Sequence, residues 1–163
     1  MVCVVLLLGG NIGDTEWIIR SAHSKIEEKV GKVVNTSSLY TSEPWGFDAE
    51  QWFINQVLIV NTELNAEQVL QHTQEIEREL GRVRMKEPTT FQSRSIDIDI
   101  LFYDNHVINT PDLKVPHPML HLRRFTLLPL VELIPDFVHP SFDISVEELL
   151  DSCPDQGAVK KLE

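Results

Sequence analysis

Cysteine is almost missing from this chain. Cys3 and Cys153, at opposite ends of 163 residues, are the only two. They make neither a disulfide framework nor a zinc site, and Cys3, set in an apolar run, reads as a core thiol. Long apolar runs are missing too. Residues 2–8 are too few to span a membrane and no charged segment precedes them, so a cytoplasmic chain with no membrane partner is expected. Positive charge is scarce: 14 Lys and Arg against 25 Asp and Glu give a net charge of −11 and a pI near 4.9. That balance excludes a nucleic-acid binder working by bulk attraction. The chain also lacks a P-loop. Gly9-Gly10-Asn11-Ile12-Gly13 is followed by Asp14-Thr15 where Lys-Ser/Thr would be needed, and the dinucleotide pattern is absent. No repeat or low-complexity segment occurs. With 42% hydrophobic residues, residues 1–163 are expected to form one domain around an ordinary core.

What basic charge there is lies unevenly. Seven of the fourteen Lys and Arg fall between Arg82 and Arg124, and none between Val33 and Glu77. An acidic chain with one cationic segment suggests a local anion site such as a polyphosphate; a solvated basic loop is the plainer alternative. Directly after Arg94, Ile96, Ile98 and Ile100 alternate with Asp97 and Asp99. Period two puts the isoleucines on one face of a strand and both carboxylates on the other. Asp forms strands poorly, and like charges at i and i+2 repel. A cation between them would explain the pair, and Mg²⁺ takes such ligands together with phosphate oxygens. An amphipathic strand with its polar face in water is the competing reading.

The remaining elements follow in order. Residues 2–8 read as a buried strand stopped by Gly9-Gly10. Asp14 or Thr15 caps a helix to about Val30. Residues 32–41 read as a second strand, residues 42–46 as a loop and residues 53–60 as a third strand. Asn65 caps a helix over 66–80 that Gly81 ends. Residues 82–93, aperiodic and containing Pro88, read as a mobile loop into the Asp strand. The Asp104-Asn105 turn and Val107-Ile108 suggest a hairpin, and residues 111–118 read as irregular. Residues 119–133 are expected to be helical with Pro129 breaking or kinking them. A short helix is expected over 146–150. The order β-α-β-β-α-β is the ferredoxin-like split plan, an α+β fold with an antiparallel sheet, helices on one face and extra C-terminal elements. Many functions share it.

Gly81-Arg82-Val83-Arg84, Arg94-Ser95-Ile96-Asp97-Ile98-Asp99-Ile100-Leu101, Val115-Pro116-His117-Pro118 and Arg123-Arg124-Phe125 together closely resemble the 6-hydroxymethyl-7,8-dihydropterin pyrophosphokinase family of folate biosynthesis. Gly9-Gly10-Asn11-Ile12, Ser38-Leu39-Tyr40, Pro44 with Gly46, and Phe53-Ile54-Asn55 extend the resemblance over almost the whole chain. It implies transfer of pyrophosphate from ATP to a pterin alcohol. It implies that Asp97 and Asp99 bind two Mg²⁺ ions and that Arg82, Arg84 and Arg94 contact the polyphosphate. It places Gln74, Glu77, Arg84, Arg94, Ile100, Lys114, His117 and Arg123 at ATP. It places Ser42, Pro44, Trp45, Phe53, Asn55 and Phe125 at the pterin. A monomer acting on small molecules is expected. The chain departs from the family where other members carry an arginine followed by tryptophan before the signature arginine; Lys86, Pro88 and Phe91 stand in that region. Pro118 replaces a common tyrosine, and Phe53 stands where tyrosine is also found.

The chemistry asks for these residue types. In the transfer that the resemblance implies, a hydroxyl attacks the β-phosphorus of ATP and AMP leaves, so arginines, and metal ions held by the two carboxylates, would stabilise crowded negative charge. No general base stands out. Phe53 and Phe125 suit a flat ring, and Asn55 offers both a donor and an acceptor. Two other classes use parts of this pattern. A nucleotidyltransferase would need a Gly-Ser turn close upstream of the acidic pair, and a ferredoxin-like sensor domain would need no paired acids.

Overall fold

A computed structural model describes residues 1–11, 14–43, 52–84 and 96–162, the side chains of 82–84 excepted. Its elements are β1 (Val2–Gly10), α1 (Thr15–Lys29), β2 (Lys32–Thr36), β3 (Tyr40–Ser42), β4 (Phe53–Thr62), α2 (Ala66–Arg84), β5 (Asp97–Tyr103), β6 (Ile108–Asn109), β7 (Lys114–Val115), α3 (Arg124–Leu133), α4 (Val146–Asp151) and β8 (Val159–Lys161). β5, β1, β4, β3 and β8 lie in that order in one antiparallel sheet, and β2 also pairs with β4.

Alternation along the central strands divides the core in two. Leu6, Leu8, Leu58, Val60, Ile98 and Ile100 point to one face, where they pack with Ile18 and Ile26 of α1 and Val69, Ile76 and Leu80 of α2. Val5, Leu7, Val57, Ile59 and Leu101 point to the other, against Leu127 and Leu130 of α3 and Val146 and Leu149 of α4. The first face is the ferredoxin-like layer expected from the sequence. The C-terminal helices cover part of the second face, so helices are not confined to one side.

Caps account for the helix starts. The Asp14 carboxylate accepts the Trp17 N–H at 3.1 Å. Asn65 and Gln68 cap each other's main-chain N–H, both at 2.9 Å. Ser145 and Glu148 form a full capping box.

Several boundaries differ from expectation. β1 runs through both glycines to Gly10. Residues 32–41 make two strands, because the Ser37 hydroxyl takes the Val57 N–H at 2.9 Å while Ser38 turns its N–H to Glu132 at 2.9 Å. Helix α2 passes Gly81 and reaches Arg84; an interior glycine costs only about 1 kcal/mol and no proline follows until 88. The loop expected over 82–93 therefore loses its first turn to α2, and residues 85–93 lie outside the described residues. Ile108 pairs with Val115 across β6 and β7, so residues 111–118 include a strand and the hairpin is not the one expected. Pro129 sits within α3, which continues to Leu133. The break falls earlier, at Arg123, whose extended backbone (φ −123°, ψ 109°) separates α3 from a 3₁₀ turn over Leu120–Leu122. Strand β8 had no sequence signal.

His139 pins the C-terminal segment. It is 2% exposed, accepts the Ser141 and Phe142 N–H groups on Nδ1 at 3.1 Å each, and stacks on Phe142 at 4.2 Å between centroids. Both bonds need an unprotonated Nδ1. Burial, then the neighbouring His121, pushes the imidazole from 6.5 down to about 4. The unfolded chain therefore takes up this proton first. The stabilisation is complete above pH 6.5 and is lost as pH falls through 6.5 toward 4. Urea unfolding should show a loss on the order of 1–2 kcal/mol from this residue between pH 7 and 5. His139→Asn should be less stable at pH 7 but should show a shallower slope; an equal slope would refute the assignment.

Candidate active site

The sheet register builds the site. Asp97 of β5 stands opposite Gly9 of β1, Gly9 opposite Asn55 of β4, and Asn55 opposite Tyr40 of β3. The next row brings Asp99 opposite Leu7. Directly opposed residues share a face, so both carboxylates and Asn55 lie on the second face, beside its apolar cluster. Gly9 is bare for a reason. A Cβ there would come within 2.6 Å of Asn55 Oδ1, so the amide occupies the space over the glycine, toward Asp97. Asn55 is 3% and Ser42 2% exposed, and the Asn55 Nδ2–H donates to Ser42 Oγ at 2.8 Å. That bond fixes which way the amide points. Phe53, two residues earlier, shares its face.

Charge enters from the segment after β5. The His117 main-chain N–H donates to Leu101 O at 3.0 Å, which holds the residue against the edge strand. Its Nδ1 accepts the Met119 N–H at 3.1 Å, leaving the ring proton on Nε2, 3.9 Å from Asp99 Oδ2. Burial, then the Arg123 charge, pushes this imidazole down to about 4. It is thus a neutral donor at pH 7 and its approach to Asp99 is no ion pair. Burial also lowers the Arg123 pKa, against the opposing pull of Asp99 and then Asp97. Arg123 Cζ lies 5.6 Å from the Phe125 ring centre. Two half-exposed carboxylates, a guanidinium, a neutral imidazole N–H, an oriented amide and an aromatic ring therefore meet on one sheet face.

Other expected site residues fall differently. Gln74 is exposed on α2. Glu77 accepts the Ile98 N–H at 2.8 Å, which satisfies an outward main-chain donor of the edge strand and ties α2 to the Asp strand. Ile100 is 4% exposed, packed with α1 and α2, so its side chain faces away from the carboxylates and only its main chain is left for a ligand. The Lys114 ammonium is bonded to Asn109 Oδ1 at 3.0 Å and Thr110 O at 3.1 Å on its own hairpin. Arg82 and Arg84 close α2, their side chains outside the described residues, where Arg94, Pro44 and Trp45 also lie.

Glu132 carries no local motif in the sequence. It accepts the Tyr40 hydroxyl at 2.6 Å and the Ser38 N–H at 2.9 Å. Burial opposes its charge, but these bonds hold the carboxyl below its ordinary range, and they moor α3 to β3. An acidic residue spaced 92 positions from its partner leaves no local signal.

Carboxylates able to hold a cation, beside a guanidinium and an imidazole N–H, are groups of the kind that phosphoryl transfer uses. Residues 5–135 match the family model described as 7,8-dihydro-6-hydroxymethylpterin-pyrophosphokinase. A Porphyromonas gingivalis protein named 2-amino-4-hydroxy-6-hydroxymethyldihydropteridine pyrophosphokinase is 37% identical over 141 residues, 86% of this chain and 95% of that one. An Aquifex aeolicus protein of the same name is 40% identical over 148 residues, 91% of this chain and 90% of that one. The chain belongs to the 6-hydroxymethyl-7,8-dihydropterin pyrophosphokinase family, as its motifs suggested. A Plasmodium falciparum HPPK-DHPS structure with pteroate superposes at a TM-score of 0.76 with 17% identity, covering 92% of this chain. This chain spans 44% of that longer protein, and the likeness concerns the fold alone. Among the described residues, no helix is long and apolar enough to cross a membrane.

Proposed function

We propose that this chain transfers the pyrophosphoryl group of ATP to the hydroxyl of 6-hydroxymethyl-7,8-dihydropterin, releasing AMP, a step of folate biosynthesis. The observation that carries the reading is the placement of Asp97 and Asp99 on one sheet face beside Arg123 and His117, in a chain whose family match spans residues 5–135. The alcohol oxygen bonds to the β-phosphorus as the bond from that phosphorus to the α,β-bridging oxygen breaks. AMP takes the electron pair, and the hydroxyl proton passes to solvent.

Asp97 and Asp99 are hard oxygen donors on one face, and the Asp99 side chain is 36% exposed, a donor set that fits Mg²⁺. Among the described residues no third His, Cys, Asp or Glu joins them in a metal-holding group, and phosphate oxygens and water would complete the shell, as Mg²⁺ commonly has it. Two bound ions would supply charge neutralisation along the triphosphate. Arg123 adds a half-buried positive charge, and its neighbours Asp99 and Asp97 favour its charged form against the cost of burial. The His117 Nε2–H is a donor for a phosphate oxygen. Arg82, Arg84 and Arg94 are proposed to meet the transferred group. Asn55, held by Ser42, is proposed to pair with the polar edge of the pterin, and Phe53 and Phe125 to contact its ring.

The test is to incubate the protein with Mg-ATP and the pterin alcohol and follow the nucleotide products. AMP is the expected product. Pyrophosphate release would indicate nucleotidyl transfer, and no turnover would indicate a binding domain; either result would overturn the reading.

A further inference from the structure

Residues 154–162 lie beyond the family match, which ends at residue 135, yet they join two elements that wall the proposed pterin site. One wall is β3 and β4, with Ser42 and Asn55 hydrogen-bonded. The other is the first turn of α3, which carries Phe125. Helix α3 has no side-chain cap from Arg123. Asp155 supplies one from 31 residues away, its Oδ2 accepting the Arg124 N–H at 3.0 Å. Its Oδ1 accepts the Gly157 N–H at 2.8 Å. Ala158 then bonds Glu43 twice: its N–H donates to Glu43 Oε1 at 3.1 Å and its carbonyl accepts the Glu43 N–H at 3.2 Å. From there β8 pairs with β3, Val159 opposite Ser42. Gly157 is closely held in this tie. A Cβ on it would lie 2.8 Å from Glu43 Oε1 and 3.0 Å from Asp155 Oδ1.

We propose that Asp155 is a positioning residue for the pterin: through Gly157, Ala158 and Glu43 it fixes the start of α3, and with it Phe125, relative to Ser42 and Asn55. The inference rests on the pterin reading above. A contact wall works only at close range, since a gap of about 0.5–1 Å forfeits a quarter to a half of the dispersion well. Asp97, Asp99 and His117 stand on β5 and the segment after it, outside the tie. Arg123 is one residue from Arg124, but the charges of Asp99 and Asp97 attract its guanidinium from the β5 side.

The experiment uses the full chain with Asp155→Ala, Asp155→Asn and Gly157→Ala. It reads the KM for the pterin alcohol and kcat from AMP release, affinity for a non-hydrolysable ATP analogue by calorimetry, and the melting temperature. Asp155→Ala should raise the pterin KM about five- to tenfold, the scale of one or two lost hydrogen bonds. Its kcat and ATP-analogue affinity should stay within about twofold. Asp155→Asn keeps an acceptor for the Arg124 N–H and should recover most of the loss. An unchanged pterin KM in Asp155→Ala would overturn the proposal. So would a parallel loss of analogue affinity, kcat and melting temperature, the mark of a general structural role. If Asp155→Ala does not fold, Gly157→Ala, which displaces both carboxylates without removing them, should show the same split at about threefold, and its absence is equally decisive. A wild-type chain that forms no AMP overturns the proposed function itself; an active wild type with an indifferent Asp155→Ala overturns only the tie.

Discussion

Replacing either Asp97 or Asp99 by asparagine is expected to lower AMP formation by at least about a hundredfold, and by up to a thousandfold, the range seen when one preorganised charge-stabilising group is removed. Asparagine keeps the size and the strand alternation but removes a negative oxygen, so the loss isolates charge. The fold should survive, because the isoleucines on the opposite face carry the packing. Two opposing effects set stability. Removing one carboxylate relieves repulsion along β5, but it also strips counter-charge from Arg123, on which Asp99 acts more strongly than Asp97. Asp99→Asn should therefore be the less stable of the two in urea, and Asp97→Asn close to wild type. Titration with Mg²⁺ should show both variants needing more metal for their residual turnover. Wild-type rates at wild-type Mg²⁺ in either variant would remove the proposed metal role from that residue.

The parts of this protein that were readable in its sequence are those governed by short-range rules. Period two placed Asp97 and Asp99 on one face and the isoleucines on the other, and the register bears this out. Asp14 and Asn65 cap the helices they were expected to cap. The errors came where a long-range partner outweighs local preference. Ser37 and Ser38 read as ordinary strand positions, but Val57 and Glu132 claim their polar groups and split the strand. Residues 159–161 carry no pattern of their own and become a strand only because β3 and Glu43 offer partners. Gly81 looked like a helix stop, but a helix ends where its hydrogen bonds find other partners, and none intervened before Arg84. The site divides along the same line. The carboxylate pair was visible from alternation alone, and the resemblance pointed to Asn55, His117 and Arg123. The role of Gly9 was hidden, since what matters there is the absence of a side chain beneath an amide 46 residues away.

Asn55→Leu should weaken binding of the pterin alcohol by at least about tenfold and leave affinity for an ATP analogue within about twofold. Leucine matches asparagine in size but offers no polar atoms. The aminopyrimidinone edge of a pterin presents donors and an acceptor side by side, and each group left buried and unpaired costs about 1–3 kcal/mol. Ser42 sharpens the expectation. Its hydroxyl takes one Nδ2–H of Asn55, which leaves the other Nδ2–H and Oδ1 as one donor and one acceptor of fixed direction. The same reasoning makes Gly9→Ala an independent probe. It leaves Asn55 in the sequence but drives a methyl to 2.6 Å from Oδ1, so the amide must turn and its bond to Ser42 must bend or break. Gly9→Ala should thus reproduce most of the pterin loss with every polar group still present. Calorimetry with the ATP analogue bound first, then pterin added, measures both variants. Should Asn55→Leu lose ATP-analogue affinity while keeping the pterin, the two substrates have been assigned to the wrong ends of this face. If Gly9→Ala alone proves harmless, Asn55 binds through its mere presence and the orientation set by Ser42 is irrelevant.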